Sequence, residues 1–221
     1  MQTLLKDQAY QALLDMLWAG ELKVGEIYSL TKIAQELHIS RTPLRDAIQR
    51  LSDEKRIDIL PSRGFRLHKL TDIEIKQRYH LSICLEGYGI IRLIEKYQLD
   101  PNDSYVKKLD ECIDKMEKGL NKKRAFKDKY QLDNNFHKAL VDSIDDQFGD
   151  YLSLKDHGFI NIPELHLYAK ELDMHKMLAF NKRIVKAIKE GNYEAGYKTI
   201  MENADYVYGV YIRGAKEVEN L

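Results

Sequence analysis

The sequence predicts a mainly α-helical chain in two parts, interrupted by one small β-hairpin in its first third. Three observations predict this. Apolar residues recur at helical spacing along most of the 221 residues. Only 4 prolines and 12 glycines punctuate them. A single stretch, 56–68, alternates apolar and polar residues around a Pro-Ser-Arg-Gly turn. With 44% hydrophobic and 32% charged residues, the composition is that of a globular protein with a real core. No run of about 18 apolar residues occurs, so no membrane span is expected. The start, MQTLLKDQAYQALL, is amphipathic and carries acids, unlike an export leader, so a cytoplasmic location is expected. Cys84 and Cys112 fall inside helical patterns and read as buried free thiols.

Residues 3–19 place Leu5, Ala9, Leu13 and Leu17 at helical spacing. Gly20 and Gly25 bound a connector, and Ser29 is a plausible N-cap for a helix from Leu30 to about Leu37. After the short link His38-Ile39, the tract Ser40-Arg41-Thr42-Pro43 starts a third helix. Either hydroxyl can cap it, and Pro43 suits the first turn, where its missing N–H is not needed. This helix runs to about Asp53. Its apolar face is Leu44, Ala47, Ile48 and Leu51; the opposite face carries Arg41, Thr42, Arg45 and Gln49. The hairpin follows, with Arg56–Leu60 and Phe65–His68 as strands and Arg63-Gly64 at the tip.

Three helices and an arginine-tipped hairpin make a winged helix-turn-helix. Charge points the same way: residues 40–70 hold eight Lys/Arg against four Asp/Glu, a net of +4 on a chain of net charge zero. In such a unit the third helix fits a DNA major groove. Its N-terminal N–H groups and Ser40 or Thr42 can meet phosphate, Arg41 and Arg45 can reach guanine edges, and Arg63 can enter the minor groove, with Gly64 permitting close backbone approach. Reading two half-sites calls for two such units about 34 Å apart, hence a homodimer on a pseudo-palindromic double-stranded operator.

From residue 72 onward the pattern is helical throughout. The spacing predicts helices over about 72–98, 103–120, 124–144, 147–168, 172–190 and 192–213, an all-α antiparallel bundle. The expected division is 1–70 for the winged helix-turn-helix and 71–221 for the bundle.

The stretch from Leu30 to Leu67 resembles the DNA-binding domain of the GntR family of transcriptional regulators. Its most specific part is the tract from Ser40 to Ile48. The second half resembles the FCD effector domain of the FadR-like branch. The carriers are Leu85-Glu86, the run Asp133-Asn134-Asn135-Phe136-His137, and the stretch from Asn181 to Asn192. Together these cover most of the chain. The resemblance implies a ligand-responsive repressor, a homodimer whose DNA affinity changes with a small effector, commonly a carboxylate. It carries DNA contacts onto Ser40, Arg41, Thr42, Arg45, Arg63 and Gly64. An arginine that some members have at the start of the second helix is Thr31 here, beside Lys32.

Many members of that branch hold a divalent metal with one aspartate and three histidines. Asp133 and His137 match two of these, four positions apart on one helix face. Asn181 and Asn203 stand where histidine is usual, and Ser82 where an arginine often precedes Glu86. Amide oxygens are weaker ligands. Three readings therefore stay open for Asp133, His137, Asn181 and Asn203: an organic effector bound without metal, a weakened metal site, or satisfied structural polar groups. Tyr79, Glu86, Arg92, Tyr130, His166 and Tyr206 fall at inward positions as further lining candidates. The Tyr206, Tyr208, Tyr211 cluster reads as packing or dimer contact. Two other functions compete, a metal-dependent enzyme built on the bundle and a winged helix that contacts protein or RNA. No nucleophile motif, glycine-rich phosphate loop or HExxH occurs, so no catalytic residue is expected.

Overall fold

The computed structural model describes residues 2–144, 168–169 and 171–219. They form two compact units, one built on residues 2–71 and one on 72–144 and 171–215. The fold is mainly helical, with one small antiparallel sheet in the first unit.

The first unit contains α1 (Gln2–Ala19), β1 (Ile27–Tyr28), α2 (Leu30–Glu36), α3 (Arg41–Asp53), β2 (Ile57–Leu60) and β3 (Gly64–Leu67). Its core joins one face of each helix: Ala9, Leu13 and Leu17 of α1, Ile33 and Ala34 of α2, and the four residues Leu44, Ala47, Ile48 and Leu51 of α3. Phe65 and Leu67 close the core from the sheet. An ionic clasp ties α1 to α3. Tyr10 donates its hydroxyl to Glu54 at 2.8 Å, and Glu54 also accepts from Arg50 Nε at 3.2 Å and Arg56 Nε at 2.9 Å. Burial, reinforced by that hydrogen bond to a carboxylate, pushes the Tyr10 hydroxyl up to about 12.

The sheet has three strands in the order β1-β3-β2, all antiparallel, where the sequence predicts only the β2–β3 hairpin. Two residues of β1 are too few for any alternation to register, and their pairing with Phe65 and Arg66 is a tertiary event. Gly64 is the residue that permits it. At φ +122° it occupies backbone space closed to side chains, and a Cβ there would lie 2.0 Å from the Tyr28 carbonyl oxygen. His38 takes a left-handed conformation, φ 51°, in the link between α2 and α3.

The second unit contains α4 (Asp72–Leu99), α5 (Ser104–Leu120), α6 (Phe126–Asp142), α7 (Met174–Lys189) and α8 (Tyr193–Glu219). Ile90, Leu93 and Ile94 of α4 meet Val106 and Leu109 of α5, Phe136 and Leu140 of α6, Ile184 and Ile188 of α7, and Ile200 of α8. Asp103 caps α5 by accepting from the Tyr105 and Val106 N–H groups, and Asp173 caps α7 in the same way. Gly89 lets α4 approach α6 closely: a Cβ there would stand 2.7 Å from the Leu140 carbonyl oxygen. The helix expected over about 147–168, including His166, lies outside the described residues apart from Tyr168. Of the two cysteines, Cys112 is buried, but Cys84 is exposed, contrary to expectation. No described helix is long and apolar enough to cross a membrane.

Candidate nucleic-acid interface and buried polar centre

The solvent face of α3 is built by subtraction. Its buried residues recur at positions 44, 47, 48 and 51, which leaves Arg41, Thr42, Arg45 and Gln49 outside. Ser40 is the N-cap by backbone conformation, but its hydroxyl makes no capping hydrogen bond, and Pro43 sits in the first turn. The helix start therefore keeps an uncommitted hydroxyl and N–H groups that no side chain caps, a setting suited to an anion.

The arginines of this unit divide into two groups. Arg50 and Arg56 are held by Glu54, and Arg66 by Asp58 at 3.0 Å. Arg41, Arg45 and Arg63 are exposed and make no ion pair among the described residues. Asp58 also binds His68 Nδ1 at 2.7 Å; burial raises its carboxyl, but the bonds from His68 and Arg66 outweigh this and hold it below its ordinary value. The acids of the unit thus neutralise cations that stabilise the fold and leave α3 and the hairpin tip positive. Arg63 follows Ser62, itself left-handed at φ 62°, in a turn closed by the Arg63 N–H donating to the Leu60 carbonyl at 3.0 Å. Gly64 stands beside it, and its small size is required inside the unit by Tyr28, whatever it meets outside.

In the second unit, four helices bring Glu86, Asp133, His137, Asn181 and Asn203 into the interior, each buried. His137 Nδ1 lies 2.5 Å from Glu86 Oε2, and the Ser82 hydroxyl donates to Glu86 Oε1 at 2.5 Å. His137 Nε2 stands 3.7 Å from Asp133 Oδ2, an ion-pair distance too long for a hydrogen bond. Asp133 Oδ1 accepts from Asn181 Nδ2 at 2.7 Å, which fixes the amide orientation, since the reverse would set two oxygens together. Burial disfavours a charged His137, but the Glu86 carboxylate, then Asp133, then the Glu86 hydrogen bond outweigh it and push the imidazole up to about 9. Burial raises the Asp133 carboxyl. Asn181 Oδ1 and Asn203 Nδ2 are buried without a hydrogen-bond partner. Tyr130 and Tyr211 share a 2.8 Å hydrogen bond in the same unit, and burial pushes both hydroxyls up.

Of the further lining candidates, only Glu86 joins the central group. Tyr79 donates to Asp205, Arg92 pairs with Glu95, and Tyr206 accepts from the Asp173 N–H. Ser82, Met116 and Tyr211 were not among the expected site residues. Met116 enters through its sulfur, 3.6 Å from Asn181 Nδ2.

Residues 5–67 match the family model described as bacterial regulatory proteins, gntR family. The first unit is a gntR-family domain. The gluconate operon transcriptional repressor of Bacillus licheniformis is 28% identical over 196 residues, covering 86% of this chain and 78% of the relative. The HTH-type transcriptional regulator YdhC of Bacillus subtilis is 22% identical over 199 residues, covering 90% and 87%. A GntR transcriptional regulator from Rhodococcus has the same fold, with TM-score 0.75 at 20% identity, covering 94% of this chain and 97% of that one. These relationships place the chain with the gntR-family transcriptional regulators.

Against the metal centre that the family resemblance implies, the gntR-family chain keeps only half a site. Asp133 Oδ2 and His137 Nε2 are suitably spaced, and Glu86 backs the imidazole as a carboxylate backs many metal-bound histidines. The other two positions offer amides. Asn181 turns its nitrogen to Asp133, and Asn203 presents an uncovered nitrogen. A protonated imidazole is no ligand, and tight zinc or nickel sites need three or four good donors. The residues present do not fit such a metal, and among the described residues no group of three or more His, Cys, Asp or Glu is arranged to hold one.

Proposed function

We propose that the chain is a ligand-responsive, DNA-binding transcriptional repressor, working as a homodimer on a pseudo-palindromic operator. The observation that carries this is the exposed, unpaired state of Arg41, Arg45 and Arg63 on α3 and the hairpin tip, while their neighbours Arg50, Arg56 and Arg66 are held by acids. Ser40 and Thr42 at the helix start meet phosphate, Arg41 and Arg45 read base edges in the major groove, and Arg63 beside Gly64 enters the minor groove. The repressor sense is supported by the relatives named for the gluconate operon. The all-helical second unit is the effector domain, with Asp133, His137, Asn181 and Asn203 at its polar centre; their burial inside the bundle, with two amide atoms unanswered, supports that reading.

The test is a gel shift of the full chain on genomic fragments with excess non-specific duplex. Retention of particular fragments, weakening steeply with salt, is expected. Equal binding to every fragment, or none at low salt, would refute the regulator reading.

A further inference from the structure

Asn181 is fully buried and Asn203 is 3% exposed, yet Asn181 Oδ1 and Asn203 Nδ2 have no partner. A buried amide atom left unpaired is destabilising, and native interiors rarely keep two unless something from outside answers them. The two asparagines belong to facing stretches of α7 and α8. The Arg183–Glu202 ion pair at 2.8 Å and the Phe180–Tyr206 ring contact at 6.3 Å bracket them. An unanswered acceptor and an unanswered donor are together the complement of a hydroxyl group, which can give one hydrogen bond and accept another.

The surrounding charge selects among hydroxyl-bearing ligands. Glu86 and Asp133 are both buried, and the imidazole between them is engaged by both. A carboxylate seated here would add a third anion with no uncommitted cation in the group to receive it, and the half-built metal site supplies none. We infer that this centre binds an uncharged, hydroxyl-bearing small molecule directly and without a metal, one hydroxyl answering both Asn181 Oδ1 and Asn203 Nδ2. The inference rests on the effector-domain reading and changes the ligand class from the carboxylate that the family resemblance implies to a neutral polyol or sugar.

The experiment is thermal unfolding of the full chain in EDTA, against a panel of alditols and aldoses, each beside its aldonate, and separately against zinc and nickel without chelator. At least one uncharged member is expected to raise the Tm with a saturable dose dependence, unaffected by EDTA. In Asn203→Leu, which keeps the side-chain size and removes the unanswered donor, the saturable shift is expected to disappear, leaving only the linear effect of a stabilising cosolute. Should an aldonate alone give the saturable shift, or should zinc or nickel give one that EDTA reverses, the inference falls and the effector-domain reading stands. Should no compound or metal give a saturable shift, both fall. Should Asn203→Leu not fold, the wild-type arms still decide the ligand class, and Asn181→Ser, which shortens the unanswered acceptor, replaces it as the variant expected to lose the shift.

Discussion

His137 Nδ1 and Glu86 Oε2, 51 positions apart in the sequence, meet at 2.5 Å and bind α6 to α4 through the middle of the helical unit. The pair is buried on both sides, with side-chain exposures of 11% and 4%. Its charge therefore has consequences for stability that surface pairs in this chain do not share.

The imidazole is raised from its ordinary 6.5 to about 9, so the folded state holds the proton more tightly than the unfolded chain. This contribution is complete below pH 6.5 and is lost as pH rises through about 9. Urea titrations across that window should show falling stability in the wild type and a flatter profile in His137→Gln. Glu86→Gln is expected to cost about 3–5 kcal/mol at neutral pH, the usual scale for stripping one partner from a buried pair.

The half-site at Asp133 and His137 gives a gain-of-function expectation. Asn181→His combined with Asn203→His should bind zinc with a chelator-reversible rise in Tm, because two imidazoles would join a carboxylate oxygen and an Nε2 already 3.7 Å apart. The wild type should show no such rise. Isothermal titration with zinc on both proteins checks this; equal affinities would contradict the placement of the asparagines at ligand positions.

Gly64→Ala should destabilise the first unit by about 1–3 kcal/mol, since the added methyl meets a backbone carbonyl that cannot rotate away. Chemical denaturation measures it. A neutral result would mean that β1 does not pair with β3 through Tyr28 as described.

The two helix starts, Asp103 and Ser40, should behave differently. Asp103 accepts two backbone hydrogen bonds, and Asp103→Ala is expected to cost about 0.5–2 kcal/mol of stability. The Ser40 hydroxyl makes no cap bond, so Ser40→Ala should leave the denaturation midpoint nearly unchanged while weakening DNA binding. A large stability loss in Ser40→Ala would show that the hydroxyl is committed to the helix instead of to phosphate.

Much of this architecture is legible in the sequence where periodicity is long and one-sided. The α3 pattern at 44, 47, 48 and 51 specifies both the buried stripe and, by difference, the arginine face. Shorter or many-sided patterns say less. β1 has two residues and exists because Gly64 admits Tyr28, a relation between distant positions. In α4, Ile83, Ile90 and Leu93 are buried while Ile73 and Ile91 are exposed, so apolar character alone does not locate Cys84, which lies outside. Asp133 and His137 could be placed on one helix face from their spacing. That Glu86 and Ser82 of another helix would complete the group depends on how the helices pack, and no local pattern encodes it.

The account depends most on Arg41 and Arg45 reading a duplex from the solvent face of α3. Selection of bound duplexes from a random pool, with the full chain and with Arg41→Ala/Arg45→Ala, tests this directly. Two inverted half-sites whose centres lie about one helical turn or a multiple of it apart are expected for the wild type, with base preference relaxed in the variant. Enrichment of the same sequence by both proteins, or of none by the wild type, would contradict it.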